Sequence, residues 1–140
     1  MADKAFVDTN IICYLFSEDT GKANIAEHIL SQSPHISVQV LNETANVLRK
    51  KLKMAWPEIT EALDIIKTLC NTHPLTLRIH THGLAIAEQH SLSLYDAMII
   101  AAALEHHCTT LYTEDMQNQQ LIYGKLRLVN PFLITQNITP

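Results

Sequence analysis

The chain has 140 residues and a formal net charge of −4, with 47% hydrophobic and 17% charged residues. That length suits one domain spanning 1–140, able to bury about two-thirds of its unfolded surface. The negative balance argues against a broad nucleic-acid-coating surface, though not against a nucleic-acid enzyme whose acids are concentrated at a metal site. The longest apolar run, Ala97 to Leu104, falls well short of the about 20 residues needed to span a bilayer, so no membrane is expected.

The opening "MADKAFVDTN" lacks the basic and apolar segments of a signal peptide. Cys13, Cys70 and Cys108 are odd in number and scattered through apolar stretches. They read as free thiols of a reducing compartment, which makes a cytoplasmic location the expectation.

In chain order, "KAFVD" (4–8) reads as a strand and "NIICYLF" (10–16) as the helix behind it. "KANIAEHILSQ" (22–32) is an amphipathic helix with Ile25, Ile29 and Leu30 on one face, and "HISVQ" (35–39) a short strand. "VLNETANVLRKKL" (40–52) carries Val40, Thr44, Val47 and Leu48 at helical spacing, and Pro57 suits the first turn of the next helix, "PEITEALDIIKTLC". "LTLRI" (75–79) reads as a strand and "THGLAIAEQH" (81–90) as a helix. "SLYDAMIIAAALEH" (93–106) is a helix apolar on every face beyond its first turn, hence buried. "TTLYT" (109–113) and "RLVNP" (127–131) close the series as strands. Alternating β and α predicts a three-layer α/β/α fold with a central parallel sheet of about five strands, whose ligands collect beyond the carboxyl ends of the strands.

Four acids fall at such places. Asp8 ends the first strand, Glu43 lies on the edge of an inward stripe, Asp96 opens the buried helix, and Asp115 follows the strand 109–113. Each has a local reading as well. Asp8 suits a helix N-cap, Ser93 with Asp96 makes a capping box, Asp115 suits a first helical turn, and Glu43 could be a solvated flank position. Together they predict one cleft in which like carboxylates need a counter-charge. A divalent cation supplies it, and an all-oxygen donor set favours Mg²⁺ or Mn²⁺ over Zn²⁺. His80, His82, His106 and His107 lack the spacing of a zinc site and read as surface or capping residues.

The blocks "FVDTNIICYLF", "QVLNETANVLRK", "LSLYDAMIIAAAL" and "LYTEDMQ" resemble, in order and rough spacing, the four sequence blocks of the PIN domain. The last is most similar to the branch containing VapC-type toxins. The resemblance carries the family's acids onto Asp8, Glu43, Asp96 and Asp115, and its supporting polar positions onto Thr9 or Asn10 and Thr113. It implies Mg²⁺- or Mn²⁺-dependent hydrolysis of single-stranded RNA, with Asp8, Asp96 and Asp115 holding the metal and Glu43 completing the site or holding a water. In toxin members it implies a homodimer held by a small antitoxin.

The basic cluster Arg49, Lys50, Lys51 and Lys53 either balances a helix C-terminus or meets RNA phosphates or an acidic partner. Leu15, Phe16, Met54 and Trp56 read as exposed apolar residues suited to an interface. Haloacid-dehalogenase-like phosphatases also begin with an Asp after their first strand, but they require a second Asp where this chain has Asn10. A receiver-type phosphoacceptor fits badly too. The remaining alternative is a non-catalytic PIN-like module that binds RNA or protein.

Overall fold

The computed structural model describes residues 4–133. Six strands form one sheet in the order β3-β2-β1-β4-β6-β5: β1 Ala5–Val7, β2 His35–Ser37, β3 Asn71–His73, β4 Thr110–Tyr112, β5 Leu121–Ile122 and β6 Leu126–Val129. Five of them run parallel, and β5 pairs antiparallel with β6 at the edge. The helices are α1 Thr9–Cys13, α2 Thr20–Leu30, α3 Val38–Lys50, α4 Trp56–Leu69, α5 Leu77–His90 and α6 Leu94–Glu105, with a 3₁₀ turn at Tyr14–Phe16. They cover the sheet in the expected three-layer arrangement. Among the described residues no helix is long and apolar enough to cross a membrane.

Most sequence-predicted elements are present with shifted ends. α3 starts at Val38, so Gln39 belongs to its first turn rather than to the preceding strand. The segment 75–79 is a genuine correction. Its alternation of apolar and polar residues imitates a strand, yet Thr76 caps a helix there, its hydroxyl accepting from the Ile79 N–H at 3.2 Å. Leu77, which a strand would have turned inward, is 80% exposed.

The strand lies earlier, at Asn71–His73, a polar edge paired in parallel with β2. The His35 and His73 rings stack across that pairing at 5.0 Å between centroids, and His106 stacks on His73 at 3.6 Å. Burial lowers the pKa of all three.

α6 is the centre of the molecule. Every residue from Ala97 to Ala103 is buried, most of them completely. Ile99, Ile100 and the alanines join Phe6, Ile36 and Leu111 of the sheet in one core cluster. Leu15 and Phe16 pack against this cluster instead of standing exposed, and Met54 is half-buried. Of the four residues expected at an interface, only Trp56 stays in water, 59% exposed.

Candidate active site

The chain runs from β1 outward through β2 to β3, then returns to place β4 on the other side of β1. The point of reversal, beside the carboxyl end of β1, is where an open α/β sheet leaves a crevice. Asp8, Glu43, Asp96 and Asp115 all line the cleft there, a space of ≈ 850 Å³.

Asp8 follows β1 in extended backbone and is the N-cap of α1. Its Oδ1 accepts from the Thr9 N–H at 2.7 Å and its Oδ2 from the Thr113 hydroxyl at 2.9 Å. It is only 4% exposed. Burial pushes its carboxyl up to about 7. The bonds from Thr113 and Thr9 oppose the rise, and the charges of Asp96 and Glu43 add to it. The N-cap of α1 and a place on the cleft wall therefore coincide at this residue.

Glu43 reaches the cleft from the second turn of α3. Its Oε1 accepts from the Thr9 hydroxyl at 2.5 Å, and its Oε2 from Gln39 Nε2 at 3.2 Å. Gln39, one helical turn earlier, also donates to the Tyr95 carbonyl at 3.0 Å. This ties α3 to the start of α6.

At that start the capping is done by Ser93, whose hydroxyl accepts from the Asp96 N–H at 3.2 Å. The Asp96 carboxyl is raised by burial and then by Asp115, with the Ser93 hydroxyl pulling the other way and Glu43 adding to the rise. Replacing Ser93 with Ala is expected to cost about 1 kcal/mol, read from the denaturant midpoint at unchanged slope.

Asp115 stands in the turn after β4. Asn10 Nδ2 donates to its Oδ2 at 2.9 Å and lies 3.4 Å from Asp8 Oδ2, so one amide links two of the acids. Thr113 joins the same pair, since its oxygen also accepts from the Asp115 N–H at 3.3 Å. Thr9, Asn10 and Thr113 thus all touch the carboxylates they were expected to support.

The basic cluster divides. Lys51 lines the cleft, beyond Val47 and Glu43 on the same side of α3. Arg49 instead stacks over the Trp56 ring at 5.0 Å and donates to the Met54 carbonyl at 3.0 Å. Lys50 and Lys53 are exposed, Lys53 in left-handed backbone. Gln39, Tyr14, Lys22 and Glu114 were missed by sequence reading. Only Gln39 had a usable signal, four residues before Glu43 and so on the same helical face.

Chemically the cleft is dominated by carboxylates, with Thr9, Asn10, Ser17 and Lys51 among its other polar lining. Cys13 is on its wall, but burial pushes its thiol up to about 11 despite the nearby Lys51, which removes it as a nucleophile at neutral pH. The donor set suits a hard cation. All four acids offer oxygen donors, two of them hold raised pKa values partly through repulsion from neighbouring acids, and the buried Gln39 Oε1 beside Glu43 has no hydrogen-bond partner. Among the described residues no three His, Cys, Asp or Glu side chains form a closed ligand group as they stand. A larger hollow of ≈ 990 Å³ opens elsewhere, beside Arg78, His82 and Lys125, but its acid Glu105 is already paired with Arg78 at 3.2 Å.

Fold and site together define an α/β protein organised around an acidic cleft at the switch point of its sheet. The family profile of the PIN domain matches residues 5–121, and the chain belongs to that family. Its fold is similar to that of Mycobacterium tuberculosis VapC20, a sarcin–ricin loop cleaving toxin, at 20% identity and TM-score 0.65, over 80% of this chain and 90% of that one. A toxin–antitoxin complex from Klebsiella pneumoniae gives 24% identity and TM-score 0.66, over 91% and 98%. VapBC2 of Rickettsia felis, bound to a DNA fragment from its promoter, gives 20% and 0.63, over 89% and 96%. No curated protein sequence matches the chain.

Proposed function

We propose that this chain is a Mg²⁺- or Mn²⁺-dependent endoribonuclease that hydrolyses phosphodiester bonds of single-stranded RNA, and that it is the toxin of a toxin–antitoxin pair. The observation that carries the reading is the convergence of Asp8, Glu43, Asp96 and Asp115, from four separate segments of the fold, on one cleft. In this reading Asp8, Asp96 and Asp115 hold the ion and Glu43 completes the site. The ion, when bound, lowers the pKa of the attacking water and offsets charge developing on the phosphoryl group.

The chain's own residues do the rest. Thr9 and Thr113 fix both oxygens of Asp8, so that carboxylate is aimed before anything binds. Thr9 and Gln39 fix Glu43 from two sides, and Asn10 fixes Asp115. Lys51 is the member of the basic cluster placed to meet an RNA phosphate. No hydroxyl or thiol of the protein need attack, and neither need the RNA 2′-OH, so products carry a 5′-phosphate and a 3′-OH.

Family membership supports a nuclease, and the similar toxin–antitoxin structures support a small antitoxin partner. The proposal includes a homodimeric toxin acting in the cytoplasm. Purified protein is expected to cut a labelled single-stranded RNA with added Mg²⁺ or Mn²⁺ and to stop on chelation. Cleavage that survives chelation and leaves a cyclic phosphate would overturn the reading.

A further inference from the structure

Glu114 and Asp115 are neighbours in sequence, yet the fold sends their carboxylates to different partners. Asp115 turns to Asn10, whereas Glu114 accepts from the Tyr14 hydroxyl at 2.6 Å through Oε1 and from Lys22 Nζ at 2.9 Å through Oε2. Lys22 also donates to the Tyr14 oxygen at 3.2 Å. Its ammonium lies 4.8 Å from the centre of the Tyr14 ring and 5.0 Å from that of Phe132, and the two rings pack edge to face. The Glu114 N–H donates to Asn10 Oδ1 at 3.1 Å, so the same residue is also tied to the amide that holds Asp115.

We infer that Lys22 is a positioning residue for Asp115: with Tyr14 it draws Glu114 out of the acid cluster and fixes the turn that presents Asp115 to the cleft. Glu114 lines the same cleft, and an unpaired carboxylate there would repel its neighbour or compete for its place. The Tyr14 hydroxyl at 2.6 Å and the Lys22 ammonium at 2.9 Å hold it away from Asp115. The ammonium is itself confined, because two aromatic faces attract it and hold its stem in one direction. Both oxygens of Glu114 are thereby engaged, and the Thr-Glu-Asp turn delivers one acid to the site instead of two.

The test uses Lys22→Met, which keeps an unbranched apolar stem but no charge, and Lys22→Arg, which keeps the charge. In metal-free protein, amide exchange at Glu114 and Asp115 is expected to rise about tenfold in Lys22→Met, the scale of a charge-assisted pair discounted for partial exposure. Lys22→Arg should restore most of the protection, and amides of the α6 core should keep their rates. Mn²⁺ titrations followed by melting temperature, which rest on the function proposed above, should show weaker binding in Lys22→Met by a similar factor. In a Glu114→Gln background Lys22→Met should add little.

Unchanged exchange at 113–116, or a rise shared by the α6 core, would overturn the inference. So would Mn²⁺ binding unchanged or tighter in Lys22→Met. If wild type neither binds Mn²⁺ nor cuts RNA while the local exchange responds as expected, the nuclease reading fails and the positioning role stands.

Discussion

Asp8→Asn is expected to reduce cleavage by more than about a hundredfold, the upper end of what removing even an outer partner of a metal ligand costs, while stabilising the metal-free protein at pH 8. The Asp8 carboxyl titrates at about 7 in the folded chain against 3.8 for the ordinary group. A raised carboxyl pKa means that the native state binds the proton more tightly than the unfolded state does. Its contribution is therefore fully present below pH 3.8 and is lost as pH rises through 7. At pH 8 the ionised group costs at most about 4 kcal/mol by this linkage.

Asparagine removes that charge and keeps an oxygen for the Thr9 N–H, but its –NH₂ meets the Thr113 hydroxyl, which now has to accept, and faces the Asn10 amide. These losses reduce the expected gain to about 1 kcal/mol, or about 3 °C in melting temperature. The gain should vanish near about pH 6 and turn into a loss at lower pH. His35, His73 and His106 titrate in the opposite sense, but they are common to both proteins and cancel in the difference. Added Mn²⁺ should raise the melting temperature of wild type and barely move Asp8→Asn, since a ligand stabilises only the state that binds it. Equal metal-induced shifts in the two proteins would remove Asp8 from the ligand set.

The second large effect lies away from the acids. A Cβ built on Gly83 of α5 would stand 2.6 Å from Met98 Cγ and 3.3 Å from Met98 Cα on α6. The two helices touch almost backbone to backbone at this point. In an isolated helix Gly→Ala would gain about 1 kcal/mol. Here the methyl has to displace the base of a buried side chain, so Gly83→Ala is expected to lose about 2 kcal/mol net and Gly83→Val about 4.

Met98→Ala removes the nearer obstacle. On its own it leaves a cavity worth about 2–3 kcal/mol, but combined with Gly83→Ala it should cost less than the two changes summed. Urea melts of the three variants and the double variant decide it. A stabilised Gly83→Ala would mean that the close approach is not rigid. Because Asp96 stands in the first turn of α6, Gly83→Val should also weaken Mn²⁺ binding in whatever fraction remains folded.

How far the sequence spoke depended on what each signal encodes. Helix α6 was legible from composition alone, because a run such as "AMIIAAAL" has nowhere to go but the interior. The acids were legible as residues at strand ends and helix starts, a property of order along the chain. The strand at Asn71–His73 was not, since its polar side chains lie at a sheet edge and carry no alternation. The hairpin of β5 and β6 was overlooked although Tyr123 and Gly124, both in left-handed backbone, mark its turn. Lys22 could not have been found: it meets Glu114 across 92 positions of sequence, and nothing local to either residue announces the pairing.

The two ends of the sheet bear on how this protein behaves when concentrated. One edge strand is only three residues long and polar, and the other is the two-residue Leu121–Ile122, closed by a tight hairpin. Neither offers a length of free backbone on which another molecule could extend the sheet, the usual route to ordered aggregates. Among the described residues, exposed helix side chains such as Trp56 and Ile65 of α4 offer another way for copies of this chain to meet. Contacts of that kind can form and be undone without either molecule giving up its fold.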